Sequence, residues 1–292
     1  DAQSGQIERG LLINGQSPFE ECENFFFPKR FADTRYPFEK NEYGNDVMPG
    51  QTGLYDLTET FLRDRYAFYE EPLLFEFGQG TNTLTLTGSK GGLALAGITL
   101  KSPATVPTYE EYSKGRLSGD ASSLITIEAE TVSVRSSKSI KLTTVSEPGV
   151  TPIDAGYKLL NTLGGENWKA AGDFAQWRFT VEKAGLYRLA VNYKQSYNTA
   201  MTSFRRVEID GEVPFRELLS VAFPFGAGWQ QKVLGDGSPY LIYLSAGEHA
   251  LRLTSVNTPY REVYGWLSSV VSDMKALDLA VKEIIGTDSD VY

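Results

Sequence analysis

Residues 9–28 read RGLLINGQSPFEECENFFFP, and residues 205–224 read RRVEIDGEVPFRELLSVAFP. At a constant offset of 196 they match at Arg9 and Arg205, Ile13 and Ile209, Gly15 and Gly211, Pro18 and Pro214, Phe19 and Phe215, Glu21 and Glu217, Phe27 and Phe223, and Pro28 and Pro224. Eight identities without a gap mark an internal repeat. A second block follows, PLLFEFGQGTNTLTLT at 72–87 against PYLIYLSAGEHALRLT at 239–254, at offset 167. The offsets differ by 29, so the first copy carries a 29-residue insertion within 29–71. Two copies of one domain are therefore expected in the 292 residues.

The local pattern around the repeats is β. In residues 174–181, Ala175, Trp177, Phe179 and Val181 alternate with Phe174, Gln176, Arg178 and Thr180, which places one apolar set on one strand face. After the turn Glu182-Lys183-Ala184-Gly185, residues 186–195 put Tyr187, Leu189, Val191 and Tyr193 on a shared face, and the two runs read as a hairpin. Further strands are expected over 124–130, 206–210 with a turn at Asp210-Gly211, 240–244, and 250–255. Short strands at this spacing indicate a sandwich. Met274, Leu277, Val281, Ile284 and Ile285 recur at helical spacing, with Ser272 and Asp273 before them and Gly286 after, and predict a capped amphipathic helix. The stretch KSPATVPTYEEYSKGRLSGDASS at 101–123 reads as a connector.

The reading is thus an all-β chain of two tandem antiparallel β-sandwiches of jelly-roll type with a C-terminal amphipathic helix. The first sandwich spans 1–104, a linker 105–123, the second sandwich 124–270, and the helix and tail 271–292. Arg205 follows an 81-residue lead-in from Leu124, whereas only eight residues precede Arg9. The first sandwich is therefore expected to be incomplete at its N-terminus, its missing segment supplied by a cleaved piece or another chain.

Composition narrows the functions. With 28 Lys and Arg against 37 Asp and Glu, a net charge of −9 argues against nucleic acid and anionic membrane partners. No window of 18 apolar residues is present, so no membrane span is expected, and the polar start is not read as a signal peptide. Cys22 alone cannot form an internal disulfide, and His249 alone excludes two-histidine zinc sites. No GxGxxG, P-loop or GxSxG motif marks catalysis, and the chain is read as non-enzymatic. Aromatics make 12% of the residues, a supply that serves either sandwich cores or stacking on sugar rings.

ITIEAE at 125–130, GGENWKAAGDFAQWRFTVEKAGLYRLAVNYKQ at 164–195, RRVEIDGEVPF at 205–215 and YLIYLSAGEHALRLT at 240–254 together resemble carbohydrate-binding-module-like jelly rolls of the family 6 and 35 type. Such modules occur in tandem in large extracellular solute-binding lipoproteins of Gram-positive sugar ABC transporters. The first copy matches through INGQSPFEE and EPLLFEFGQGTNTLTL. The resemblance implies an oligosaccharide or polysaccharide ligand, a non-catalytic role, and an extracellular setting at the cell surface through a parent protein. The alternatives are a structural spacer that has lost its sugar site, or accessory domains of a glycoside hydrolase. The solute-binding domain expected after the helix is not present in this sequence.

Trp168, in the polar loop 164–169, is the leading candidate for stacking on a sugar, and equally a lid over the core. Trp229 is a second loop tryptophan, either a second wall or packing between loops. Asn192, Gln195 and Arg205 stand near strand ends as candidate hydrogen-bond partners, with Arg205 also readable as an ion-pair partner of Glu217. Trp177 and Trp266 read as core. Glu128 and Glu130 match the position at which related modules hold a structural calcium, but the related late aspartate is replaced by Tyr264-Gly265-Trp266-Leu267. No cofactor is expected, and Glu128 and Glu130 remain weak metal candidates, with Asp288 and Asp290 only superficially like a calcium loop.

Overall fold

A computed structural model describes residues 7–115, 123–154, 156–197 and 199–286. The strands of the first half are β1 (Ile7–Ile13), β2 (Phe25–Phe27), β3 (Phe31–Asp33), β4 (Gln51–Gly53) and β5 (Leu84–Lys90). Those of the second half begin with β6 (Val134–Arg135), β7 (Leu142–Thr143), β8 (Thr162–Leu163), β9 (Phe174–Val181), β10 (Gly185–Tyr187) and β11 (Ala190–Tyr193). They continue with β12 (Ser203–Ile209), β13 (Val221–Phe223), β14 (Gln230–Val233), β15 (Gly235–Asp236), β16 (Ser238–Pro239), β17 (Ile242–Leu244) and β18 (Gly247–Val256). Two helices, α1 (Tyr109–Ser113) and α2 (Arg261–Ile285), complete the elements.

The repeated sequences fold alike. β1 ends in a two-residue turn with Asn14 at φ 52° and Gly15 at φ 83°, and β12 ends in one with Asp210 at φ 55° and Gly211 at φ 86°. Two consecutive positive φ values match the strand twist and suit Asn, Asp and Gly, which explains why glycine recurs at this position. A short 3-10 turn follows in each copy, Glu20–Cys22 and Arg216–Leu218, burying Cys22 and Leu218 completely. Register repeats as well: Leu11 faces Leu86 and Ile13 faces Leu84 in the first copy, where Val207 faces Leu253 and Ile209 faces Leu251 in the second.

Around β12 the sheet is large, with order β13-β12-β18-β9-β6-β3-β4. Its inner face carries Val207, Ala175, Trp177, Leu251 and Leu253, and the short ribbons β10–β17 and β11–β14 cover them with Tyr187, Leu189, Val191, Tyr193, Ile242 and Leu244. The alternation read in residues 174–181 and 186–195 is therefore the inward pattern of two layers. The expected hairpin is not formed, because β9 pairs with β18 and β6 whereas β10 pairs with β17. The turn at 182–184 is a crossing between layers, which periodicity alone cannot distinguish from a hairpin.

Three other expectations change. The segment 124–128 is extended but unpaired and leads into a 3-10 turn at Ala129–Thr131, whose Ala129 carbonyl accepts from the Trp177 indole at 3.1 Å. α2 begins at Arg261, just after a Pro-containing turn at Thr258–Tyr260, so Ser272 and Asp273 lie inside the helix, while Gly286 does close it at φ 80°. Trp266 stands on this helix 65% exposed and is not core. The connector also contributes structure. Thr108 caps α1 in a box with Glu111, Tyr112 is buried, and the Tyr109 and Tyr112 hydroxyls accept from the Leu241 and Tyr243 amides at 2.9 and 3.0 Å. Residues 116–122 of the connector, and Asp288 and Asp290, lie outside the described residues.

The insertion of the first copy joins the sheet of the second. β3 pairs with β6 at Phe31 and Arg135, and β4 pairs with β3. Arg135, fully buried, donates to the Asp33 carboxylate and to the Ile140 carbonyl, the latter at 2.7 Å. Asp46 accepts from the Leu160 amide at 2.8 Å and Asn45 from the Lys158 amide at 2.8 Å, which fastens the rest of the insertion.

Candidate functional site

The loop between β8 and β9 starts with Gly164 at φ 95° and Gly165 at φ 60°, a backbone that a side chain would strain. This bend turns Trp168 inward. Its indole N–H donates to the Asp173 carbonyl at 3.1 Å, its ring lies 6.3 Å from that of Trp177, and the Arg205 guanidinium sits 5.0 Å over the ring centroid. Arg205 also donates to the Trp168 carbonyl at 3.0 Å and to the Phe204 carbonyl at 2.9 Å. Burial lowers the Arg205 pKa to about 10, opposed by the charge of Asp173. Asp173 is itself pushed up by burial, against the pull of the Ser136 hydroxyl at 2.8 Å and of Arg205. Trp168 and Arg205 thus form one half-buried unit with Asp173, in which a guanidinium lies over the Trp168 ring. Glu217, the other partner considered for Arg205, instead caps the Tyr109 amide at 2.9 Å.

Beside this unit three loops meet. The Tyr197 hydroxyl lies 3.3 Å from the position a Gly165 Cβ would take, which sets Tyr197 against the 164–168 turn. The Gly226 amide donates to the Gln195 carbonyl at 2.9 Å, which sets the 224–230 loop against Gln195. Gln195 is buried and its side chain donates to the Met201 carbonyl at 2.7 Å, so it shapes the loop from inside. The Tyr193 hydroxyl donates to Gln230 at 3.3 Å. At the rim, Tyr197 is 61% exposed and Phe225 38% exposed, while Trp229 is half-buried with its indole N–H unbonded among the described residues. Asn192, exposed on β11, donates to the Gly149 carbonyl at 2.7 Å, and Lys194 pairs with Glu147 at 2.7 Å on the same edge. The structure therefore gathers Gln195, Asn192 and Trp229 around this loop end and sets Trp168 and Arg205 below its surface. No described ring contact joins Trp168 to Trp229.

Tyr197 and Phe225 were not singled out from sequence. Both are aromatic residues in polar, Gly- or Ser-containing loops, the same signal that selects Trp168 and Trp229.

Glu130 is buried, one of its carboxylate oxygens has no partner among the described residues, and burial raises its pKa to about 7, with the charges of Glu128 and Asp46 adding to the rise. Glu128 accepts from the Thr151 hydroxyl at 3.2 Å. Calcium takes six to eight oxygen ligands. Among the described residues no three His, Cys, Asp or Glu side chains gather as a metal-holding group.

No protein-family model and no curated relative matches the sequence. Solved structures are similar to part of it. A native family 35 carbohydrate-binding module from Clostridium thermocellum is 17% identical with a TM-score of 0.34, covering 46% of this chain and 86% of that one. The GH26-CBM35 β-(1,4)-mannanase of Podospora anserina is 18% identical with a TM-score of 0.31, covering 44% of this chain and 24% of that one. A cycloisomaltooligosaccharide glucanotransferase of a Paenibacillus species, complexed with cycloisomaltoheptaose, is 18% identical with a TM-score of 0.32, covering 45% and 16%.

Proposed function

We propose that the second sandwich is a non-catalytic carbohydrate-binding module and that the loop end at 164–168, 195–197, 199–202 and 224–230 is its ligand surface. The observation that carries this reading is the exposure of Tyr197 and Phe225 on adjoining loops beside Trp229, over a buried framework that immobilises those loops. A pyranose presents an apolar C–H face that an aromatic ring desolvates, and its hydroxyls take the hydrogen bonds that water gives up. Tyr197, Phe225 and Trp229 supply ring surface, and Asn192 supplies a polar group at the edge. Trp168, Arg205 and Gln195 act as positioning residues, because their polar groups are engaged inside the protein. The net charge of −9 disfavours anionic polysaccharides, so the ligand class is a neutral oligosaccharide.

The setting proposed is extracellular, as an accessory part of a larger protein that takes up or processes sugars. Both a sugar-transport receptor and a glycoside hydrolase are compatible parents. No helix among the described residues is long and apolar enough to cross a membrane. A competing reading, a spacer without a ligand, is favoured by the inward Trp168, whose face Arg205 occupies. A neutral-glycan array decides between them. Binding that drops at least tenfold in a Tyr197→Ala, Phe225→Ala double variant of unchanged melting temperature supports the module; no binding to any neutral glycan supports the spacer.

A further inference from the structure

We propose that β5 is the acceptor edge for an added antiparallel β-strand. The occupant is a strand with the inward pattern of β9, a large aromatic residue two positions from a small one.

In the second copy, β18 lies between β12 and β9. β9 sets Trp177 against Leu251 and Ala175 against Leu253. In the first copy, β5 pairs with β1 in the same register, and Leu84 and Leu86 take the places of Leu251 and Leu253. Its outer edge has no strand among the described residues. The consequence is visible in burial: Leu251 and Leu253 are 6% and 7% exposed, whereas Leu84 and Leu86 are only half-buried. Beside them lies an open trough of about 2410 Å³, lined in part by Leu11, Phe27, Phe75 and Leu95.

The unpaired backbone groups can be assigned. The Asn14 amide donates to the Thr83 carbonyl at 2.9 Å, as the Asp210 amide does to the Ala250 carbonyl at 2.8 Å. Backbone groups alternate sides along an antiparallel strand, so Thr83, Thr85 and Thr87 face β1 and Leu84 and Leu86 direct their N–H and C=O groups to the open edge. An edge of this kind, with threonines and leucines and a single lysine at its end, is a template for strand addition. The second copy shows what completes it, which is why the occupant is a β9-like strand and not an unspecified apolar surface.

The test adds a synthetic peptide of residues 172–183, GDFAQWRFTVEK, to the whole chain and follows backbone hydrogen exchange. The expected result is at least about tenfold slower exchange at the Leu84 and Leu86 amides, and no slowing with a scrambled peptide of the same composition. The same peptide N-methylated at the positions of Ala175 and Trp177 should lose the effect, since those amides face the acceptor strand. Leu86→Pro, which removes an outward N–H and leaves the β1 ladder intact, should lose it as well. Three results would overturn the proposal: unchanged exchange at Leu84 and Leu86, equal protection by the N-methylated peptide, or protection already present without peptide. The last would mean that a second copy, seen as a dimer by light scattering, or the chain's own 93–100 segment occupies the edge.

Discussion

Replacing Glu130 by glutamine should stabilise the protein at alkaline pH and have little effect in acid. The carboxyl is buried, lacks a partner at one oxygen, and is held at about 7 against an ordinary 4.5, first by burial and then by the charges of Glu128 and Asp46. A raised carboxyl pKa favours the protonated form in the folded state. Its stabilising contribution is therefore complete below the unfolded value of 4.5 and is lost as pH rises through about 7. At 1.36 kcal/mol per pKa unit, the upper bound of that loss is about 3 kcal/mol. Glutamine keeps the shape and never ionises, but adds an amide that also needs a partner, so a net gain of about 1–2 kcal/mol at pH 8.5 is expected. Urea denaturation of both proteins at pH 4.5 and pH 8.5 reads this as a midpoint that moves up at the higher pH only. Equal midpoints at pH 8.5, or a variant that gains as much at pH 4.5, would refute the assignment of an ionisation cost to Glu130.

Two further substitutions probe the framework. Trp168→Ala should destabilise by about 2–4 kcal/mol, through the lost contact with Trp177 and the uncovered Arg205 charge, and a melting temperature within a degree of the parent would show the ring to be free of the core. Arg135→Met leaves the buried Asp33 carboxylate without its cation and should cost about 3–5 kcal/mol, whereas the Asp33→Asn, Arg135→Met pair should recover much of it in the same melts; no recovery would show that β3 is held by other contacts.

What was legible in the sequence had a local cause. The recurrence of Ile-Asn-Gly and Ile-Asp-Gly encodes two turns of the same positive-φ geometry, and the alternation of Ala175, Trp177 and Val181 encodes one buried face. What was not legible depended on partners far along the chain. β3 and β4 are three residues each, too short for a pattern, and their place in the second sheet rests on Arg135 meeting Asp33 across about a hundred residues. The start of α2 was missed although Val263, Trp266, Leu267, Val270 and Val271 carry the helical spacing back to its first turn, and with Trp266 exposed the tryptophan there did not mean a core. At the candidate site, loop tryptophans were findable by composition, but whether a ring faces out is decided by tertiary hydrogen bonds. Trp168 is drawn in by Asp173 and Arg205, and Tyr197 is left out.

The central claim is that neutral oligosaccharides bind at the loop end of the second sandwich. Hydrogen exchange of the whole chain, with and without a saturating neutral oligosaccharide chosen by array, locates the ligand directly. The account predicts slowed exchange confined to 164–168, 195–197, 199–202 and 224–230, with β3, β4 and β5 unchanged. Protection elsewhere with none in these loops, or no protection by any neutral oligosaccharide, would contradict it.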